Sequence, residues 1–222
     1  MRQSIMTLLL ASVLGASGMS QAAVLTLQPD DGKDAQLVDP TLADDNFGTY
    51  HDLVTNWSGN FRSIGLLEFD LSSLPAGAVV NSATLSLFHR LNPNLGSRYD
   101  IFRVTSAWDE GTVTFNTAPT IDPTAVASLV IGDNGTGVFR DWDITALVAA
   151  WTSGLNPNYG LWIEEIPVQG VAIAYFSSSD AGGQESDPRL AITYDENRVP
   201  VPGTLALLGI GLLGVGAARR RI

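Results

Sequence analysis

The chain contains no cysteine. No disulfide can constrain it, and a thiolate nucleophile or a cysteine-ligated metal centre is excluded. Positive charge is also scarce, with 12 lysines and arginines against 23 aspartates and glutamates. All the acidic residues fall between Asp30 and Glu196, whereas Arg2 and Arg219 to Arg221 lie beyond them. The body from residue 23 to 198 keeps eight basic residues and a net charge of −15. A field of that sign repels phosphate backbones and excludes nucleic acid as a partner. It also disfavours strongly acidic polysaccharides unless divalent cations bridge the two.

Catalytic constellations are missing too. The two histidines, His51 and His89, stand apart and outside any metal-ligand spacing. No glycine-rich phosphate loop or G-x-S-x-G elbow occurs. Glu164 and Glu165 are adjacent on a predicted strand, so their side chains leave opposite faces and cannot form the facing carboxylate pair of a glycosidase. Asp109 and Glu110 read as a structural turn. The sequence predicts a protein that is not an enzyme.

What is present is a folding composition, 45% hydrophobic and 16% charged. About 175 residues between the termini suffice for one domain, since a domain near 150 residues buries roughly 70% of its unfolded surface. Alternating runs such as "ATLSLF", "YDIFRVT", "ASLVIG", "GVAIAYF" and "LAITY" read as short strands between turns. Roughly nine such runs predict a two-sheet antiparallel sandwich. One segment departs from this pattern. In "DITALVAAWTSG", Ile144, Leu147, Val148 and Trp151 recur at helical spacing, with Asp143 placed as the cap and Gly154 as the stop.

Both ends read as addresses. Residues 1–22 combine a basic start, an apolar run from Ile5 to Leu14 and a small-residue exit at Ser20 and Ala22, the pattern of a signal peptide removed by signal peptidase. At the other end, Pro200 and Pro202 precede an apolar run from Gly203 to Ala218 and the cluster Arg219, Arg220, Arg221. A helix of 16 residues is about 24 Å long, marginal for a membrane span, and the arginines fit retention on the cytoplasmic side.

The proline pair, "LALLGIGLLGVGA" and the terminal arginines resemble a PEP-CTERM sorting signal of Gram-negative bacteria, over residues 199–222. That resemblance implies an exosortase-type processing enzyme, transient anchoring in the inner membrane, and a link to exopolysaccharide and biofilm. Val201 stands where the family usually has glutamate. A second resemblance covers the body. "NFGTYHDLVTNW", "RSIGLLEFDLSSLPAGAVVNSATLSLF", "TSAWDEGTVTFNTAP", "DWDITALVAAWTSGLNPNYGLWI" and "YFSSSDAGGQESDPRLAITYD", in that order, are similar to a DNRLRE domain, a family also described as carbohydrate-binding module family 96. Thr114-Phe115-Asn116 replaces the family's usual "TWN". The resemblance implies a secreted jelly-roll-like β-sandwich that binds polysaccharide or serves as a structural surface module.

Two sets of candidate residues follow. Sugar recognition uses aromatic platforms with polar neighbours, and Tyr50, Trp57 and Tyr159 lie in polar stretches beside Asn46, Asn56, Asn60, Asn156 and Asn158. Trp108, Trp142 and Trp151 fit core positions, and Trp162 is ambiguous. Calcium wants six to eight oxygens, and carboxylates crowd two regions, with Asp34 and Asp39 in the first and Asp180 and Asp187 in the second. A structural calcium would staple a domain without disulfides; the competing reading is a solvated acidic surface. Three functions remain open: a polysaccharide-binding module, a structural matrix protein without a discrete sugar site, and an undetected lyase or hydrolase.

Overall fold

The computed structural model describes residues 22–28, 33–91, 97–132, 135–166, 172–183 and 185–196. The segments expected to be a signal peptide, apart from Ala22, and a sorting signal, with Pro200, Pro202, Arg219, Arg220 and Arg221, lie outside the described residues. Among those that are described, no helix is long and apolar enough to cross a membrane.

Eleven strands and one helix are described: β1 (Ala22–Leu27), β2 (Asp34–Asp39), β3 (Asp52–Ser58), β4 (Phe61–Leu67), β5 (Val79–Leu91), β6 (Ser97–Arg103), β7 (Ala127–Ile131), β8 (Val138–Asp143), α1 (Thr145–Thr152), β9 (Leu161–Ile166), β10 (Ala172–Ser177) and β11 (Arg189–Asp195). Every ladder is antiparallel, in the order β1-β11-β5-β10-β3-β4-β9-β6-β7, with β2 added to β4 and β8 to β5.

Two strands each have three partners, and these make the fold. β5 holds β8 along one edge, while β10 and β11 follow one another along the other edge at His89 and Ser86. β4 holds β2 along one edge. On its other edge, β3 pairs only through Asn56↔Ser63, Trp57↔Arg62 and Ser58↔Phe61, after which β9 takes over at Ile64. β3 thus leaves β4 and joins β10, so the β3–β4 hairpin links two layers. Gly59, at φ +60°, supplies the left-handed residue of its turn.

The alternation read from the sequence decides what each layer buries. Ala83, Leu85 and Leu87 on β5 point inward with Leu190 and Ile192 on β11. They meet Leu53, Leu67, Tyr99, Ile101, Leu161 and Ile163 of the opposing strands. Phe176 packs edge-on against Tyr99 (5.7 Å) and Trp142 (5.9 Å) near the middle of this core. A second core lies on the far face of the β4 layer, where Ala35, Leu37, Ile64, Leu66, Phe102, Val104 and Trp162 are covered by the loop carrying Trp108, Val113 and Phe115.

Helix α1 covers the first core with Leu147, Val148 and Trp151, as its periodicity predicts. The expected cap is displaced by one residue: Ile144 holds the N-cap position without a side-chain cap bond, and Asp143 before it accepts at Oδ1 from the Thr145 N–H at 2.9 Å and from the Thr145 hydroxyl. Gly154, at φ +75°, stands beyond the C-terminus.

Gly65 has no room for a side chain beside its partner on β9. A Cβ there would lie 2.7 Å from Ile163 Cγ2 and 3.5 Å from Leu53 Cβ. Gly65→Ala must push two core strands apart, and overpacking of this kind costs about 1–3 kcal/mol. The expected outcome is a folded protein with a lower denaturation midpoint and an unchanged m-value in urea.

Candidate functional site

A pocket of about 250 Å³ opens at the corner where β3 departs from β4. β2 supplies Gln36 and Val38, β3 supplies Val54 and Asn56, β4 supplies Phe61 and Ser63, and β10 supplies Ile173 and Tyr175. Each pair is spaced i, i+2, so every strand offers one face. The loop after β2 closes the rim with Leu42, Phe47 and Tyr50. Phe47 and Tyr50 meet edge-on at 6.1 Å, and Tyr50 remains 46% exposed.

Among the described residues, no charged side chain lines this pocket. Its Gln36 amide is committed: Nε2 donates to Ser63 Oγ at 2.9 Å, and Oε1 accepts from the Val54 N–H. Asn56 differs, because its Oδ1 is shielded from solvent and has no hydrogen-bond partner. Aromatic walls with an unpaired amide oxygen suit a ligand that has apolar faces and hydroxyl donors.

The loop bearing Tyr50 is tied down from the turn between β10 and β11. Ser178 Oγ donates to the Tyr50 carbonyl at 2.7 Å, and His51 Nδ1 lies 2.6 Å from the Asp180 carbonyl. That turn brings together the second feature of the site. Carboxylate oxygens of Asp34, Glu110 and Asp180 all lie within 4.8 Å of one another, although they come from β2, the long loop after β6 and the short 3-10 turn at Ser179–Ala181. Asp34 is only 1% exposed. Its N–H donates to Glu110 Oε1 at 3.1 Å, and its Oδ2 accepts from the Ser179 N–H at 2.7 Å. Asp180 Oδ2 and Ser179 Oγ are shielded from solvent and unpartnered. Gly48 lets Glu110 approach, since a Cβ there would sit 2.2 Å from the Glu110 carbonyl oxygen. These three carboxylates are the residues that could hold a cation.

Burial pushes the Asp34 carboxyl up to about 7, opposed by the Ser179 N–H bond and helped by the neighbouring charges of Glu110 and Asp180. Glu110 is raised for the same first reason. Elsewhere, burial raises Glu165 to about 7, where it accepts from the Tyr99 hydroxyl at 3.1 Å inside the first core.

The other sequence candidates lie apart from this corner. Trp57, 37% exposed, stacks on the Arg62 guanidinium at 5.4 Å on the opposite face of the hairpin. Tyr159 packs against the second core, and its carbonyl accepts from Trp108 Nε1. Asp39 ends β2 opposite Arg62, and Asp187 is buried near Arg189; neither joins the three-carboxylate cluster. Glu110, read from the sequence as a turn residue, does join it. Glu164 and Glu165 leave opposite faces as predicted: Glu164 takes a two-pronged bond from Arg62, while Glu165 faces Tyr99.

The sequence model described as carbohydrate-binding module family 96 matches residues 26–194 of the chain. The one described as PEP-CTERM protein-sorting motif matches residues 198–221. No curated protein matches the chain.

Raised carboxyl groups fix the sign of a pH effect. Asp34 and Glu165 bind protons more tightly folded than unfolded, so the stability they contribute is complete below about pH 4 and lost as pH rises through about 7. With chelator present, the melting temperature is therefore expected to be higher at pH 5 than at pH 8. Asp34→Asn, which keeps the shape and removes the titration, should flatten that slope. Thermal melts across pH check both.

Proposed function

The chain belongs to carbohydrate-binding module family 96, and from that premise we propose that it is an exported, non-catalytic polysaccharide-binding protein whose glycan seat is the pocket at the β3–β4 corner. The observation that carries this reading is the Asn56 amide oxygen, shielded and unpartnered, among Tyr50, Phe61 and Tyr175. A sugar ring would lay its C–H face on an aromatic side chain and donate a hydroxyl to Asn56. The uncharged lining favours a neutral glycan. The absence of catalysis is supported by Glu164, fully engaged by Arg62 and Trp162, and by Glu165, sealed in the core.

The sorting motif supports export, transient anchoring in the inner membrane and handling by an exosortase-type enzyme after signal peptidase has acted. The destination we propose is the cell surface or matrix of a Gram-negative bacterium, in association with exopolysaccharide and biofilm. Screening the protein on a glycan array tests the reading. Tyr175→Ala is expected to weaken binding to the selected glycan by about 1–3 kcal/mol, by analogy with base–aromatic stacking, and Asn56→Ala by about 0.5–1.5 kcal/mol, the net worth of one hydrogen bond. Their melting temperatures should stay near that of the unmutated chain. A protein that binds no glycan would favour the structural matrix role instead.

Calcium is the second part of the proposal, and the three-carboxylate cluster favours it. Asp34, Glu110 and Asp180 would supply oxygens, and a divalent cation there would offset mutual repulsion and join three distant segments. An ion that binds only the folded state stabilises it by about 2.7 kcal/mol at a hundredfold excess over its dissociation constant. Millimolar calcium is expected to raise the melting temperature, magnesium to raise it less, and Glu110→Gln to abolish the response. A melting curve unmoved by calcium and chelator leaves the cluster as hydrogen-bonded acid alone.

A further inference from the structure

We propose that the β3–β4 hairpin carries a second glycan-binding surface on the face opposite the pocket, built on Trp57, so that one molecule holds two polysaccharide strands. The proposal rests on the polysaccharide reading and adds the number and placement of the sites. Asn56 and Trp57 are consecutive on β3, and Phe61 and Arg62 are consecutive on β4, so each pair sends its side chains to opposite faces. Asn56 and Phe61 line the pocket. Trp57 and Arg62 meet on the other side, where Arg62 lies between the rings of Trp57 and Trp162, 5.4 Å and 5.7 Å from their centroids.

That stack is rigid by construction. Arg62 Nε donates to Glu164 Oε1 at 2.8 Å, its second nitrogen donates to Oε2, and Trp162 Nε1 donates to the same Oε2 at 3.1 Å. Glu164 is buried. The clamp fixes the Trp57 ring at the strand end, yet Trp57 keeps 37% of its surface open to solvent. It is the one exposed tryptophan among the described residues. A large aromatic side chain held still in water is a preorganised stacking surface. Arg62 is paired with Glu164, Arg98 is paired with Asp100 on β6, and Asp39 faces Arg62 from β2. A stiff strand lying on one face cannot reach the other.

The test uses the full chain in mild detergent with cellohexaose, a neutral β-linked oligosaccharide, in a calorimetric titration. The unmutated chain is expected to take up two molecules. Trp57→Ala should take up one, and Asn56→Ala combined with Tyr175→Ala should take up one. Trp57→Phe, which keeps a ring on Arg62, covers the case in which Trp57→Ala fails to fold; it should lose the tryptophan fluorescence change that accompanies filling of the second site. In hydroxyethylcellulose solution, the unmutated chain should raise viscosity and the Trp57 variants should not. Two sites kept in the Trp57 variants, or a single site that survives in them and disappears in the pocket variant, overturns the second surface alone. No uptake by the unmutated chain overturns both readings.

Discussion

β4 is buried on both faces, and the rest of the molecule is arranged around that constraint. Its alternate residues go to different places: Gly65 and Leu67 to the core between the layers, Ile64 and Leu66 to the core beneath the long loop. A one-residue slip of register would exchange the two sets, placing a glycine where Ile64 or Leu66 fills space and forcing a branched side chain against Ile163. The strand also changes partner halfway along one edge, from β3 to β9. That change opens the corner in which the pocket forms. The candidate site is thus a consequence of strand pairing, with its side chains delivered by the pleat.

A second constraint comes from acidity without disulfides. A body of net charge −15 repels itself, yet three carboxylates gather at the junction of β2, the long loop and the turn before β11. In a neutral interior the buried Asp34 would hold its proton into the neutral range. The junction is nevertheless well determined by two backbone donors, Ser179 N–H to Asp34 and Asp34 N–H to Glu110, and by the side-chain amide of Asn46, whose Nδ2 donates to the Glu110 and Val113 carbonyls. The same turn fixes the pocket rim through Ser178 and Tyr50. The acid cluster, its pH response and the shape of the pocket are therefore coupled through a few residues on either side of Ser179.

The sandwich class was legible because its signal is local. Alternation along β5 and the helical spacing of Ile144, Leu147, Val148 and Trp151 each need only a dozen residues to be read. The acid cluster was half legible. Asp34 and Asp180 stood in crowded acidic stretches, but Glu110 sits 76 residues from Asp34, in a turn whose fold gives no local sign of the approach. β1 does pair with β11, the first strand with the last, yet the meeting of carboxylates arises elsewhere, from β2 and the turn after β10.

The aromatics show why polar neighbours alone mislead. Tyr159 stands beside Asn158, as Trp57 stands beside Asn56, and the two contexts look alike in the sequence. Asn158 spends its amide on the fold: Nδ2 donates to the Phe69 carbonyl at 2.9 Å, and Oδ1 accepts from the Gly160 N–H at 3.0 Å. Asn46 is likewise consumed by Glu110, Val113 and Gly48. These asparagines replace backbone partners in tight loops, and Tyr159, the ring beside Asn158, is drawn against the second core. Asn56 sits on a strand whose backbone bonds are already made by β4 and β10, so its side chain has no structural duty there. A polar side chain becomes available to a ligand when the backbone around it is satisfied without it. That condition separates the Asn56 corner from the Tyr159 loop, and it depends on long-range pairing that no short window of sequence contains.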